Sequence, residues 1–238
     1  ADGVAKECGP LICACHDVYG YEPDGTKTAF PDSGFYKLYD GDAALVFFAG
    51  EPGPKYMLGH AHCDLLSFEL SIGDRPVIVN SGTFAYQSDL RSYFRSTAAH
   101  NTATVDGEEQ MECWAEHRVA RGVSRVRVEE LSERRIVASF RNYKGRLHRR
   151  SIELHKGGLR IEDATDREEA EVTQRYHFAN EEVPAIIFGV ACRTGHSKAL
   201  TSSEFGKLAV AAVVEVSGTK SACSIISLNG FDGEIADD

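Results

Sequence analysis

The sequence lacks any apolar run long enough to span a bilayer as a helix. It has no long segment of helical periodicity, so a helical bundle is not expected. Internal repeats, low-complexity tracts and Pro/Gly/Ser linkers are also missing, which argues against a solenoid or beads on a string. Ala1 to Pro10 carries neither a basic patch nor an apolar h-region, so an export signal, where one exists, is expected upstream of Ala1. Positive charge is in deficit, with 26 Lys and Arg against 36 Asp and Glu and a net charge of −10. That balance argues against a general binder of nucleic acid or anionic membrane. It leaves an anionic sugar open, because ten arginines crowd between Arg118 and Arg150.

A paired cysteine framework is lacking too. The seven cysteines (Cys8, Cys13, Cys15, Cys63, Cys113, Cys192 and Cys223) are odd in number and irregular in spacing, so a disulfide scaffold is not expected. Cys8, Cys13, Cys15 and His16 do not fit a zinc-finger spacing.

What is present is ordinary soluble composition and a β pattern. Hydrophobic residues make up 42% and charged residues 26% of 238. Leu66, Phe68, Leu70 and Ile72 alternate with polar residues, then Gly73-Asp74 turns the chain into Pro76 to Asn80. Ile152 and Leu154 are followed by Lys156-Gly157-Gly158 and then Leu159 and Ile161, a second hairpin. Further strands are expected over Arg118 to Glu130, Arg134 to Arg141, Glu171 to Phe178, Val183 to Phe188, Lys207 to Val216 and Ala222 to Leu228. The fold class expected is all-β, a large sandwich of stacked antiparallel sheets forming one domain over 1–238. Residues 1–30 are the least patterned, and Ala236-Asp237-Asp238 reads as a frayed tail.

The densest polar stretch runs from Gly59 to Gln110. Read as a strand, Gly59-His60-Ala61-His62-Cys63-Asp64 puts His60, His62 and Asp64 on one face. Two imidazoles and a carboxylate grouped so call for a bound metal, an anionic substrate or a proton-transfer chain. Asn80 falls at the end of the partner strand, near the His pair. His100 is a third histidine able to converge there. Against this stand blander readings: structural histidines, Arg91 and Arg95 as surface charges, and Tyr86 and Tyr93 as sheet packing.

The ordered motifs are more specific than any one of these residues. Gly-His-x-His-x-Asp-x-x-Ser-Phe, a strand ending in Ser81-Gly82-Thr83, then Arg91-x-Tyr-x-Arg-Ser-Thr-x-x-His-Asn-Thr and Val105-Asp106-Gly107 follow in series. Pro31 to Tyr36 upstream, and Tyr143 through His148 to Arg150 downstream, extend the match. The chain resembles the heparinase II/III-like C-terminal domain over about residues 31–180.

That resemblance implies a lyase for uronate-containing polysaccharide, periplasmic or secreted, whose sandwich partners an N-terminal α/α toroid. It implies β-elimination: a base takes the C5 proton, the carboxylate charge is neutralised, and an acid protonates the leaving O4. His60 and Tyr86 match the catalytic positions, and Arg91 and Arg95 the positions that contact anionic sugar or brace the loop. Zinc is implied at His62, Asn80 and His100. Asn80 stands where the family has aspartate and brings no charge, so zinc is expected to bind more weakly.

The toroid, with its share of the catalytic machinery, is not within these residues, so little activity is expected of them alone. The contrasting expectation is a non-catalytic carbohydrate-binding or structural module of a surface-polysaccharide assembly protein. A zinc hydrolase built on His60, His62 and Asp64 lacks the usual ligand spacing.

Overall fold

A computed structural model describes residues 17–18, 20, 24–54, 56–181, 186–189 and 192–228, with backbone alone for 186–189. The Cys8, Cys13, Cys15 and His16 group, residues 183–185 and the 236–238 tail lie outside the described residues.

Among the described residues, three antiparallel sheets and a short hairpin make up the fold. The first sheet has five strands in sequence order: β1 (Ala29–Phe30), β2 (Phe35–Asp40), β3 (Ala43–Phe48), β4 (Phe68–Ile72) and β5 (Arg75–Ile78). The helix α1 (Arg91–Arg95) follows, then β6 (Ala103–Val105) and the hairpin of β7 (Glu112–Trp114) and β8 (Arg118–Arg121). Next come β9 (Arg127–Leu131), β10 (Arg135–Arg141), β11 (Leu147–His155), β12 (Gly158–Ala164) and β13 (Glu171–His177). The last strands among the described residues are β14 (Ile186–Gly189), β15 (Arg193–Glu204), β16 (Lys207–Thr219) and β17 (Ser221–Ser227). A six-stranded sheet runs β14-β17-β12-β11-β10-β9, and a four-stranded sheet runs β15-β16-β13-β6.

The alternation read from the sequence sets the inward faces. Leu38, Leu45, Phe68 and Leu70 from the first sheet meet Ile136, Ile152, Leu159 and Ile161 from the six-stranded sheet, and Tyr176, Val214 and Val216 from the four-stranded sheet. These side chains form one continuous buried cluster, each large aliphatic contributing about 1.5–3 kcal/mol by leaving water. Both expected hairpins are present, with Leu154 opposite Leu159 and Ile72 opposite Arg75.

Three local expectations change. Arg118 to Glu130 is two strands, β8 and β9, because residues 122–126 leave the ladder. Strand β4 begins at Phe68, since Leu66 sits at φ +58° and ends a turn. Residues 59–67 are not a strand at all. Their amides go elsewhere: Ala61 N–H donates to the Leu58 carbonyl, Cys63 N–H to Arg95, and Ser67 N–H to Asp64. His60, His62 and Asp64 therefore do not alternate on a pleat. His60 is exposed and His62 is buried.

Candidate functional site

The loop 59–67 is held in place by buried side chains acting on its backbone. The Gln110 carboxamide accepts from Leu65 N–H at 2.9 Å and donates to the Leu65 carbonyl at 3.0 Å, imitating a neighbouring strand. Thr102 Oγ1 donates to the same carbonyl at 2.8 Å. Asn101 joins β4 to the extension of β5: its amide donates to the Phe68 and Val79 carbonyls, both at 2.9 Å, and its oxygen accepts His177 N–H at 2.8 Å. Much of the polar motif from Arg91 to Gln110 is thus internal bracing.

Helix α1 supplies two fully buried guanidiniums. Arg95 Nε donates to the Ala61 carbonyl at 3.0 Å, and Nη1 donates to the carbonyls of Ala115 and Glu116 at 3.2 and 2.8 Å. It ties the His60 loop to the tip of the β7–β8 hairpin. Arg91 Nε donates to the Glu116 carbonyl at 3.3 Å and Nη1 to His62 Nε2 at 3.0 Å. Its guanidinium carbon lies 5.4 Å from the centre of the Tyr86 ring. The charge of Arg91 therefore sits behind Tyr86, inside the protein. Of the two roles expected of these arginines, Arg95 is placed for bracing.

At the surface, His60 meets Tyr86 edge to face with ring centres 5.2 Å apart. His117 completes a triangle, 6.4 Å from His60 and 6.3 Å from Tyr86. Tyr86 is steadied from the far side by Phe205, 5.3 Å away at the tip of the β15–β16 hairpin. That hairpin clasps the Tyr86 loop through Ser202 N–H to the Ser81 carbonyl and Gly206 N–H to the Phe84 carbonyl, both at 2.7 Å. Gly82, at φ +77°, allows the approach, since a Cβ there would lie 2.0 Å from the Ser202 carbonyl oxygen.

Beneath this surface lie His62, Asn80 and His100. The rings of His62 and His100 are 5.3 Å apart. Asn80 Oδ1 accepts Gly82 N–H at 2.8 Å, which turns its amide nitrogen to donate to His100 Nδ1 at 3.2 Å. Burial first, and then His62 nearby, holds His100 well below the usual imidazole range, so it is neutral. With Nδ1 accepting, the proton sits on Nε2, which is buried with no hydrogen-bond partner among the described residues. The trio carries no negative charge, and a guanidinium adjoins one member. A cavity of about 250 Å³ opens beside it, lined by His60, His62, Asp64, Glu69 and Asn80 together with apolar residues such as Phe48. The three residues expected to share a strand face thus share a cavity instead.

The sequence reading set His60, His62, Asn80 and His100 around one point, which the structure divides into His60 with Tyr86, backed by Arg91, and the trio of His62, Asn80 and His100 below. It did not find His117 or Phe205. Neither belongs to the motif, and His117 stands alone in its segment. The arginine-rich stretch, by contrast, is largely neutralised in place. Arg121 pairs with Glu112, Arg135 with Glu130 and Glu153, Arg146 with Asp106 and Glu108, Arg149 with Glu129 and Arg150 with Asp163.

The sequence model of the family described as heparinase II/III-like, C-terminal, matches residues 22–229. The chain belongs to that family. A heparin-sulfate lyase of Pedobacter heparinus is 30% identical over 97 residues, which cover 37% of this chain and 14% of that protein. Among solved structures, a heparinase III with methylated lysines superposes with a TM-score of 0.74 at 17% identity, covering 98% of this chain and 43% of its own. A heparan sulfate lyase of Pedobacter heparinus gives 0.68 at 18% identity, with 92% and 41% covered. The chain therefore spans well under half the length of these relatives. At such identities the superpositions establish the fold, an all-β sandwich of stacked antiparallel sheets.

Proposed function

We propose that this chain is the sandwich half of a polysaccharide lyase that cleaves uronate-containing polysaccharide by β-elimination, in the periplasm or outside the cell. The observation that carries the reading is the contact of exposed His60 with half-buried Tyr86, backed by the buried Arg91 guanidinium. Abstraction of a C5 proton needs a base at the surface and positive charge to stabilise the developing carbanion next to a carboxylate. His60 and Tyr86 are the proton-transfer groups, facing a cleft whose other wall is an N-terminal toroid. Arg91 orients Tyr86 through its ring face and His62 through its hydrogen bond.

The test uses the complete protein with uronate polymers, reading unsaturated product. His60→Ala and Tyr86→Phe should each lower kcat about 10²–10⁴-fold, the range for losing a positioned acid or base. Turnover by His60→Ala at the parent rate would sink the proposal. The 238-residue chain by itself is expected to bind without turning over.

For the implied metal, the donor set does not fit tight zinc. Two neutral imidazoles and a carboxamide offer no anionic ligand, and Asn80 Oδ1 is already engaged by Gly82. The proposal is that zinc binds weakly at most and that Asn80 holds His100 through a hydrogen bond. Asn80→Asp should raise the zinc retained by purified protein towards one per chain. Near-stoichiometric zinc in the parent, lost in His62→Ala, would overturn this.

Asn80 also favours a second reading, a non-catalytic carbohydrate-binding or structural module of a surface-polysaccharide assembly protein. Sugar affinity with no unsaturated product from the complete protein would select it.

A further inference from the structure

The β7–β8 hairpin presents features that the His60–Tyr86 pair does not use. Its tip is fixed from inside: Arg91 and Arg95 hold the carbonyls of Ala115 and Glu116, and Ala115 takes φ +48° to complete the turn. A tip so anchored shows its outer side chains at little entropic cost. Trp114 is 55% exposed, although indole is the costliest ring to leave in water. Tyr56 is 88% exposed. Both line a groove of about 630 Å³ that also takes in His60, His117 and Arg118.

Charge decides the occupant. Among the described residues the groove's lining includes Arg118 and two imidazoles but no carboxylate, in a chain of net charge −10, and the Glu112 carboxylate that hydrogen-bonds the Trp114 side chain is paired with Arg121. Most arginines downstream are paired, whereas Arg118 makes no ion pair with any described residue. Exposed flat rings beside one unspent guanidinium suit a pyranose that has an apolar face and an anionic substituent. The indole covers the C–H face, and the guanidinium takes a carboxylate or sulfate in its fork. The groove also joins the candidate catalytic surface through His60, whose ring is 6.4 Å from that of His117.

We propose that Trp114, Tyr56, His117 and Arg118 form a sugar-binding subsite that holds an anionic residue of the glycan next to the bond that is cleaved. This rests on the lyase reading for its substrate class. Trp114 supplies the stacking surface, Arg118 the charge, and His117 a hydrogen-bond donor at the junction with His60.

Trp114 is the only tryptophan in the chain, so its fluorescence reports on this groove alone. The chain is titrated with heparan sulfate and alginate oligosaccharides, and with maltoheptaose as a neutral control, to millimolar concentration, with calorimetry run in parallel. A saturable emission change is expected with an anionic oligosaccharide, weakening with salt and absent with maltoheptaose. Arg118→Gln, at an exposed position that leaves the fold unaltered, should weaken binding about threefold to tenfold. Trp114→Ala, followed by calorimetry, should weaken it by at least as much. Calorimetric binding that leaves Trp114 emission unchanged and is indifferent to Arg118→Gln would overturn the subsite while the lyase reading stands. Equal binding of maltoheptaose would overturn the role of charge. Absence of any binding would overturn the subsite, and the lyase reading would then be judged by unsaturated product from the complete protein.

Discussion

Asp163→Asn should cost the fold about 3–5 kcal/mol, more than any surface change in the chain. Asp163 and Arg150 are both fully buried on neighbouring strands β12 and β11. Arg150 Nε and Nη2 donate to the two carboxylate oxygens at 2.8 Å each, in a fork. His148 Nε2 lies 2.5 Å from one oxygen, and Gln174 Nε2 donates to the other at 2.8 Å. Asparagine keeps the shape but removes the charge, leaving a guanidinium in the core with no counter-ion. Such an uncompensated buried ion costs about 3–5 kcal/mol, and for a domain of this size each kcal/mol moves Tm by about 2–4 °C. The expected fall in Tm is therefore about 6–20 °C.

The assay is urea unfolding of parent, Asp163→Asn, Arg150→Met and the double variant. The two changes act on one interaction, so the double should cost at least about 2 kcal/mol less than the sum of the singles. Acid supplies a second reading. Burial alone would raise the Asp163 carboxyl, but Arg150 and then His148 pull it well below the ordinary 3.8. A depressed carboxylate stabilises the fold above its unfolded pKa, and that contribution is lost as pH falls through the folded one. The gap between parent and Asp163→Asn should hold down to about pH 4 and narrow below it. A loss under about 1 kcal/mol for Asp163→Asn, or additivity within about 0.5 kcal/mol, would refute the reasoning. The network matters to the site because Arg150 Nη1 also donates to the carbonyls of Leu66 and Asn101, at 2.8 and 2.6 Å, on the two loops that bracket His62 and His100.

Three further outcomes are expected. Burial, and then Arg175, lowers His177 from 6.5 to about 4, so its neutral form stabilises the fold above pH 6.5 and that contribution is lost as pH falls towards 4; between pH 7 and 5 the parent should lose about 2 kcal/mol that His177→Gln does not, and identical pH profiles in urea would contradict this. A hydrogen bond from Cys63, 4.0 Å away, brings the Cys113 thiol down to about 7, with Arg95 assisting, so alkylation of Cys113 followed by mass spectrometry should reach half its maximal rate near pH 7 and shift towards 9 in Cys63→Ala; an unchanged profile would refute the pairing. Gly82→Ala meets both a left-handed φ and the Ser202 carbonyl, and should cost at least about 2 kcal/mol and loosen the Tyr86 loop; urea unfolding within 0.5 kcal/mol of parent, roughly the noise of neutral sites, would exclude that clash.

How much of this was legible follows from what each residue reports locally. Strands β10, β12 and β17 announce themselves, because alternation records which face is buried and burial is what stabilises them. Strand β15 does not: Arg193–Glu204 is mostly polar and exposed, and it forms because the apolar β16 offers it an edge to pair with. Yet that strand carries the Phe205 tip which steadies Tyr86, so part of the site's geometry depends on an element with no sequence signal of its own. The histidines show the same division. His60 and His62 drew attention as a pair two residues apart on a presumed strand, and they share a cavity for a different reason. Gln110, Thr102 and Asn101 satisfy the loop backbone from the side, so the chain need not be a strand to hold both histidines in place. His-x-His spacing encoded closeness to a common point but not the geometry that produces it. Arg95 completes the argument: its sequence neighbours mark a charged residue near an anionic substrate, whereas its partners are three carbonyls on two segments 20 and more residues away. Only tertiary contact distinguishes a guanidinium that binds a ligand from one that builds the surface on which the ligand binds. The four groove residues divide along the same line, since Arg118 is the arginine there with its charge still turned outwards.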